Sequence, residues 1–296
     1  MGSHVARALA SRQEWSVCAL VRPSSDLALL QPILDRIHLE RSDGSYAQLE
    51  AVLRRVRPDT VVHLASFAPS SAKPEQVEEV ISANVSFGTA LLAAMAQTGV
   101  SRFVNTGTFW EQMDGEARHK PVDLYAACKQ AFQDILRFFE EAHGVKAVTL
   151  RLFGVYGPGD PRPKIFFLLK KSLGKETISL SPGWQELDLV YVDDVAEAYV
   201  KAVEYLAAKK DTNPEVFEIG SGNCLPLREI AKVYQECAGK ILNIQWGGVP
   251  YRAREIMRSR ADIRSAKEKL NWKPTHDLKS GISRMFREET TAAVPL

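Results

Sequence analysis

The apolar positions of the first 157 residues switch back and forth between two spacings. Over 2–12, Val5 and Leu9 fall on one side of a helix, and over 45–57 Leu49, Val52, Leu53 and Val56 do the same. Helices are also predicted over 25–35, about 75–98 and 124–143. Between them lie short apolar runs at 15–21, 37–39, 59–65, 102–106 and 147–152, which predict strands. The run Val61-Val62-His63-Leu64-Ala65 is continuous rather than alternating, the mark of a strand covered on both faces. Strands alternating with helices predict an α/β fold with a parallel, doubly wound sheet. From Gly157 the pattern loosens. Gly and Pro cluster at 157–163, short strands are expected near 178 and 189, and helices near 194–207, 227–238 and 262–270. The expected organisation is a first domain over 1–157 and a smaller lobe over 158–296, interleaved with the end of the first sheet.

The helix over 124–143 carries the candidate chemistry. Asp123, after Pro121, is placed to cap it, Phe132, Ile135, Leu136 and Phe139 recur on one buried face, and Gly144 ends it. Tyr125 and Lys129, four residues apart, stand on one face one turn apart. A held ammonium group favours phenolate and pulls the phenol pKa down, which lets a tyrosine give and take a proton near neutral pH.

Composition narrows the function classes. The chain has 296 residues, 45% hydrophobic and 25% charged, and a net charge of +2 with dispersed basic residues. That is an ordinary globular balance with no nucleic-acid or membrane partner expected. Cys18, Cys128, Cys224 and Cys237 have no paired spacing, so neither a metal site nor a disulfide framework is expected. The absence of a signal peptide and of an apolar run of about 18 residues points to a reduced cytoplasm.

Nine segments then fall into one order: Gly2-Ser3-His4-Val5, Val61 to Ala65, Asn84-Val85-x-x-Gly88-Thr89, Thr106-Gly107-Thr108-Phe109-Trp110, Tyr125-x-x-x-Lys129, Arg151 to Gly159, Val190 to Ala196, Ile219 to Gly222, and Leu270 to Pro274. In that order they resemble the extended short-chain dehydrogenase/reductases, in particular the NAD-dependent epimerase/dehydratase family of nucleotide-sugar enzymes. The Thr-Gly-Thr-Phe-Trp segment is most similar to the CDP-abequose synthase branch.

The resemblance implies a Rossmann-type sheet over 1–157 that binds NAD(P), a substrate-binding lobe over 158–296, and a homodimer paired through the helices at 75–98 and 124–143. It implies Tyr125 as general acid/base, Thr106 as donor to the same sugar oxygen, and Lys129 as the residue that holds the nicotinamide ribose. Gly2, Leu64, Ala65 and Asn84 would line the cofactor, and Thr108, Phe153 and Arg252 the substrate. His63 is expected to line the cofactor cleft without a catalytic part.

Three departures from the family pattern carry information. Gly2 matches only the third glycine of the dinucleotide fingerprint, the one for close helix packing, and the first strand with its two glycines is not in the sequence. The strands at 15–21 and 59–65 are therefore expected to flank a gap or to close onto each other. At the end of the second family strand, Leu20-Val21-Arg22-Pro23-Ser24-Ser25 has no acid for a ribose 2′-hydroxyl, and Arg22 with Ser24 suits a 2′-phosphate, which favours NADP over NAD. The Asp-Glu pair that follows the Thr in family dehydratases is Gly107-Thr108 here, which disfavours dehydration; the phosphate Arg expected before Asp188 is Leu187. The expected activity is hydride transfer at a sugar carbon, C4, as a ketoreductase. A 4-epimerase with retained NAD is the alternative, and a non-catalytic dinucleotide-binding protein or incomplete gene product is the alternative of another class.

Overall fold

The computed structural model describes residues 1–69, 72–113, 119–160, 162, 164–174 and 176–292; positions 161 and 163 of the Gly/Pro cluster lie outside them. The chain opens with helix α1 (Gly2–Ala10), strand β1 (Cys18–Val21), a 3₁₀ turn (Ala28–Ile33) and β2 (His38–Arg41). The turn stands where an α-helix over 25–35 was expected, because Pro32 inside it removes a backbone donor. Next come α2 (Tyr46–Val56) and β3 (Val61–His63).

One continuous helical stretch, 74–98, follows, made of a 3₁₀ turn, α3 (Val77–Ile81), a π-turn (Ser82–Ser86) and α4 (Phe87–Thr98). By length and composition this stretch is apolar enough to cross a bilayer, which corrects the expectation that no such run exists. Here Val80, Leu91, Leu92, Ala94 and Met95 are buried inside the protein. β4 (Arg102–Thr108), α5 (Leu124–His143) and β5 (Lys146–Leu152) complete the first half.

The second half contains β6 (Gly154–Tyr156), α6 (Ile165–Ser172), β7 (Ile178–Leu180), β8 (Glu186–Tyr191), α7 (Val192–Ala208), β9 (Val216–Ile219), β10 (Cys224–Pro226), α8 (Leu227–Ala238), β11 (Ile244–Trp246), α9 (Arg264–Lys269) and α10 (Leu278–Ala292). Neither α6 nor α10 was anticipated, although Leu278, Ile282 and Met285 supply a helical apolar stripe.

The strands assemble into separate sheets. β3, β4, β5 and β9 form a four-stranded parallel sheet in that order, with His63 beside Asn105, Asn105 beside Thr149, and Leu152 beside Ile219. β1 and β2 form a parallel pair of their own. Among the described residues no strand joins β1 to β3, so the gap expected between them is kept rather than closed. The central sheet is buried under α7 on one side, where Val104, Val148, Leu150, Val195, Tyr199 and Phe217 share a core. On the other side α2, α4 and α5 pack through Leu53, Leu92, Met95, Phe103, Phe132 and Leu136. β6, β8 and β10 form a small mixed sheet in the second half, which α8 and α10 adjoin.

The absent neighbour strand also changes the role of Gly2. A side chain built there would meet nothing within 4 Å, so close helix packing does not explain this glycine. α1 is held instead on α7, through His4 to Asp193 at 3.0 Å and Arg12 to Glu197 at 3.0 Å.

Candidate active site

α5 forms as its sequence dictates. The Asp123 carboxylate accepts from the Ala126 amide at 2.8 Å, capping the first turn, and Gly144 closes the last turn with φ 68°. The face bearing Phe132, Leu136 and Phe139 is buried against the sheet. That seating puts Tyr125 and Lys129 at the carboxyl ends of β3 and β4, where open α/β sheets bind ligands.

The Tyr125 phenol lies within hydrogen-bonding reach of the hydroxyls of Ser66 and Thr108, both of which pull its pKa down. Burial is the larger effect, and the phenol is pushed up to about 12. This corrects the expectation of a depressed phenol: without a bound cofactor, Tyr125 is a neutral acid. Lys129 Nζ sits 6.0 Å from the centre of the Tyr125 ring. The Lys129 side chain is almost fully buried, its Nζ has no hydrogen-bond partner among the described residues, and burial lowers its pKa to about 8. A buried, unpartnered ammonium group costs free energy unless something supplies acceptors.

The two threonines of β4 divide differently from expectation. Thr106 Oγ1 donates to the His63 carbonyl at 2.7 Å, so in its 2.6 Å bond to Tyr199 the Tyr199 hydroxyl is the donor. The single Thr106 proton is used inside the protein. Thr108, two residues further along the same strand face, is the threonine whose hydroxyl reaches Tyr125. Its neighbours Phe109 and Trp110 are still not the acid pair of a dehydratase.

Asn84 also faces inward. Its amide donates to the carbonyls of Phe67 and Val80, at 2.7 and 2.8 Å, and its oxygen accepts from Ser66 at 2.8 Å. It therefore shapes the loop that carries Leu64, Ala65 and Ser66 instead of offering a free donor to a cofactor. His63 is not a cleft residue either. Its ring is buried among Phe87, Phe103 and Phe132, and burial lowers its pKa to about 3, which makes it a neutral core group.

Arg22 and Ser24 are exposed at the carboxyl end of β1. Arg41, at the end of β2, braces that loop by donating to the Pro23 carbonyl at 2.7 Å. Phe153 stacks on Phe109, with ring centres 5.0 Å apart. Arg252 is exposed and lies close enough to Asp123 to stabilise its carboxylate, while Arg254 donates to the carbonyls of Pro121 and Val122 and ties this loop to the start of α5.

Ser66, Tyr199 and Glu111 were not foreseen. Glu111 is fully buried; its carboxylate accepts from the Thr108 amide at 2.8 Å and from the Gln133 side chain, and lies 3.7 Å from Arg151. The sequence signal for it was present: Thr108 and Glu111 form a capping box around the short turn 109–111.

A dinucleotide of the nicotinamide type fits this donor set. The unpartnered, buried Lys129 Nζ matches a ribose hydroxyl. Among the described residues no cluster of His, Cys, Asp and Glu could hold a metal ion.

Comparison with known proteins agrees with this arrangement. Residues 1–220 match the model of the NAD dependent epimerase/dehydratase family. The CDP-abequose synthase of Salmonella muenchen is 26% identical over 291 residues, covering 97% of this chain and 93% of that protein. The CDP-abequose synthase of Yersinia pseudotuberculosis is 30% identical over 236 residues, covering 78% of this chain and 81% of that protein. Among solved structures, the UDP-glucose 4-epimerase of Thermotoga maritima, crystallised with UDP-glucose, superposes with a TM-score of 0.86 at 25% identity, covering 99% of this chain and 96% of that one. Fold, site geometry and family model coincide, and the chain belongs to the NAD-dependent epimerase/dehydratase family.

Proposed function

We propose that the protein is an oxidoreductase that reduces a keto group, at C4, of a nucleotide sugar, with NADPH as its reductant. The observation that carries this reading is the Tyr125 phenol, set between the Thr108 and Ser66 hydroxyls one helical turn from the buried Lys129 Nζ. Ketone reduction needs a positioned acid at the carbonyl oxygen, and Tyr125 is the group placed to supply that proton.

In this reading Thr108 donates to the sugar oxygen and orients it, and Tyr125 gives that oxygen its proton. Lys129 would hold the nicotinamide ribose, and Arg22 and Ser24 the 2′-phosphate. Phe153, stacked on Phe109, would wall the sugar site, and Arg252 would meet the diphosphate at the mouth. The cofactor, when bound, supplies the hydride. Residues 1–157 would form the cofactor domain and 158–296 the substrate lobe. Phe138, 56% exposed on α5, leaves apolar area for a homodimer face. A cytoplasmic enzyme fits this chemistry.

The test is a panel of CDP-, dTDP- and UDP-linked 4-keto sugars incubated with NADPH or NADH. NADPH consumption with a matching alcohol product supports the reading. Interconversion of 4-hydroxy sugars without added cofactor would replace it with the epimerase, which the similarity to 4-epimerase structures favours.

A further inference from the structure

Glu111 is a carboxylate on a short turn with none of its surface exposed, and three elements converge on it. From the end of β4 the Thr108 amide donates to Oε1 at 2.8 Å. From α5 the Gln133 side chain donates to Oε2. From β5 the Arg151 guanidinium stands 3.7 Å from Oε2 and reaches on to Gln112 at 3.2 Å and Glu218 at 3.5 Å. Tyr125, Lys129 and Gln133 follow at four-residue spacing along one face of α5, so the carboxylate sits one turn from Lys129 on the face that carries the chemistry.

The space is shaped for it. A side chain at Gly107 would come within 3.1 Å of Glu111 Oε1 and 3.0 Å of Thr149 Cγ2. Burial pushes the Glu111 pKa up, and the Thr108 amide, Arg151, Lys129 and Gln133 all oppose it by favouring the ionised form. In return, Glu111 holds the Lys129 pKa up against burial.

We propose that Glu111 is the positioning residue and counter-charge of this site: it sets the Thr108 hydroxyl against Tyr125 and keeps Lys129 an ammonium group, without itself touching substrate. This rests on the reductase reading above. Its physical basis is that a carboxylate held in the same buried site, by Gln133 one helical turn from Lys129, favours the charged form of that cation. Gln112 and Gln133 are neutral and cannot replace that charge.

The experiment compares wild type, Glu111→Gln and Glu111→Asp in three measurements: thermal unfolding, the pH profile of kcat/KM with NADPH, and the pH dependence of NADPH binding followed by fluorescence. In Glu111→Gln the basic limb of both profiles moves to lower pH by about one unit. In Glu111→Asp the limb stays in place while kcat falls, because the charge remains but the shorter side chain loses the Thr108 amide. A folded Glu111→Gln with unmoved limbs overturns the proposal. Should Glu111→Gln fail to unfold cooperatively, Glu111→Asp decides: unchanged kcat and unchanged limb overturn it. If wild type binds NADPH but reduces no sugar, the reductase reading has failed, and the binding profile alone still tests Glu111.

Discussion

The four-stranded sheet β3-β4-β5-β9 and the β1–β2 pair are both parallel, yet they end in different conditions. β4 and β5 are buried at nearly every position, and every catalytic candidate hangs from their ends or from the helix packed on them. β1 and β2 are intermediate or exposed throughout, with Leu20 37% exposed, and no strand links them to the larger sheet. The difference separates two requirements. The proposed proton chemistry needs a few groups held in low dielectric, and those groups gather on the central sheet and α5. The proposed cofactor site draws on both sheets, with Arg22 and Ser24 exposed on the β1 loop and Lys129 buried on α5.

The strongest way to sharpen this contrast is Tyr125→Phe. It removes one hydroxyl from the assembled half and keeps its packing. Turnover should fall about 10²–10⁴-fold while nucleotide-sugar binding, measured by calorimetry, stays nearly unchanged. Unchanged turnover would remove Tyr125 from the chemistry.

A second test asks whether the buried half is the acid-sensitive one. His63 is neutral in the fold, with its pKa lowered to about 3, whereas in the unfolded chain it titrates normally. Below about pH 6.5 the unfolded state therefore binds the extra proton, and stability is lost as pH falls toward 3. By pH 4.5 the loss from this group amounts to roughly 2–3 kcal/mol. Denaturant midpoints of wild type and His63→Phe should diverge over that window and converge above pH 7.

Hydrogen exchange compares the two regions directly. Amides of β4 and β5 should open only with global unfolding, and those of β1 and β2 through a cheaper local opening, since they lie in a two-stranded pair with little covering. The unpaired edges of β1 and β3 carry backbone donors and acceptors that cost roughly 1–3 kcal/mol each wherever burial denies them water. Equal protection in both regions would show that the division is not energetic.

The smallest expected effect is at the rim. Arg22→Ala should weaken NADPH binding about tenfold and leave NADH binding alone, as expected for one exposed charge-assisted contact. Equal loss for both cofactors would place Arg22 elsewhere than on a 2′-phosphate.

Much of the catalytic half was legible because its signals are local. The Tyr125–Lys129 spacing, the Asp123 cap and the Gly144 stop lie within about one helix, and the alternation of strands with helices carried the sheet. The threonine assignment was not local. Thr106 and Thr108 share a strand face, so period alone cannot choose between them; the choice is made by Tyr199, 93 residues away, whose hydroxyl occupies Thr106. His63 follows the same rule, since strand alternation leaves open which face meets Phe132. Gly2 misled for the opposite reason: the contact its family counterpart implies requires a neighbouring strand, and here nothing stands beside it. Glu111 shows only a capping box in sequence, and its importance comes from Arg151 and Gln133 meeting it in space.

At the head of α7, Trp272 Nε1 donates to the Asp194 carbonyl, while the buried Asp194 carboxylate accepts from the backbone and hydroxyl of Thr275 and from the backbone of His276. These partners are 78 to 82 residues further along the chain. On a ribosome adding about 5–20 residues per second, they are made some 4–16 seconds after Asp194 itself. During that interval Thr108, Tyr125 and Lys129 already exist, but the helix covering the central sheet has its anchor unfilled. The nascent chain is therefore exposed to aggregation and to proteases after Asp194 has been made and before Trp272, Thr275 and His276 have been added.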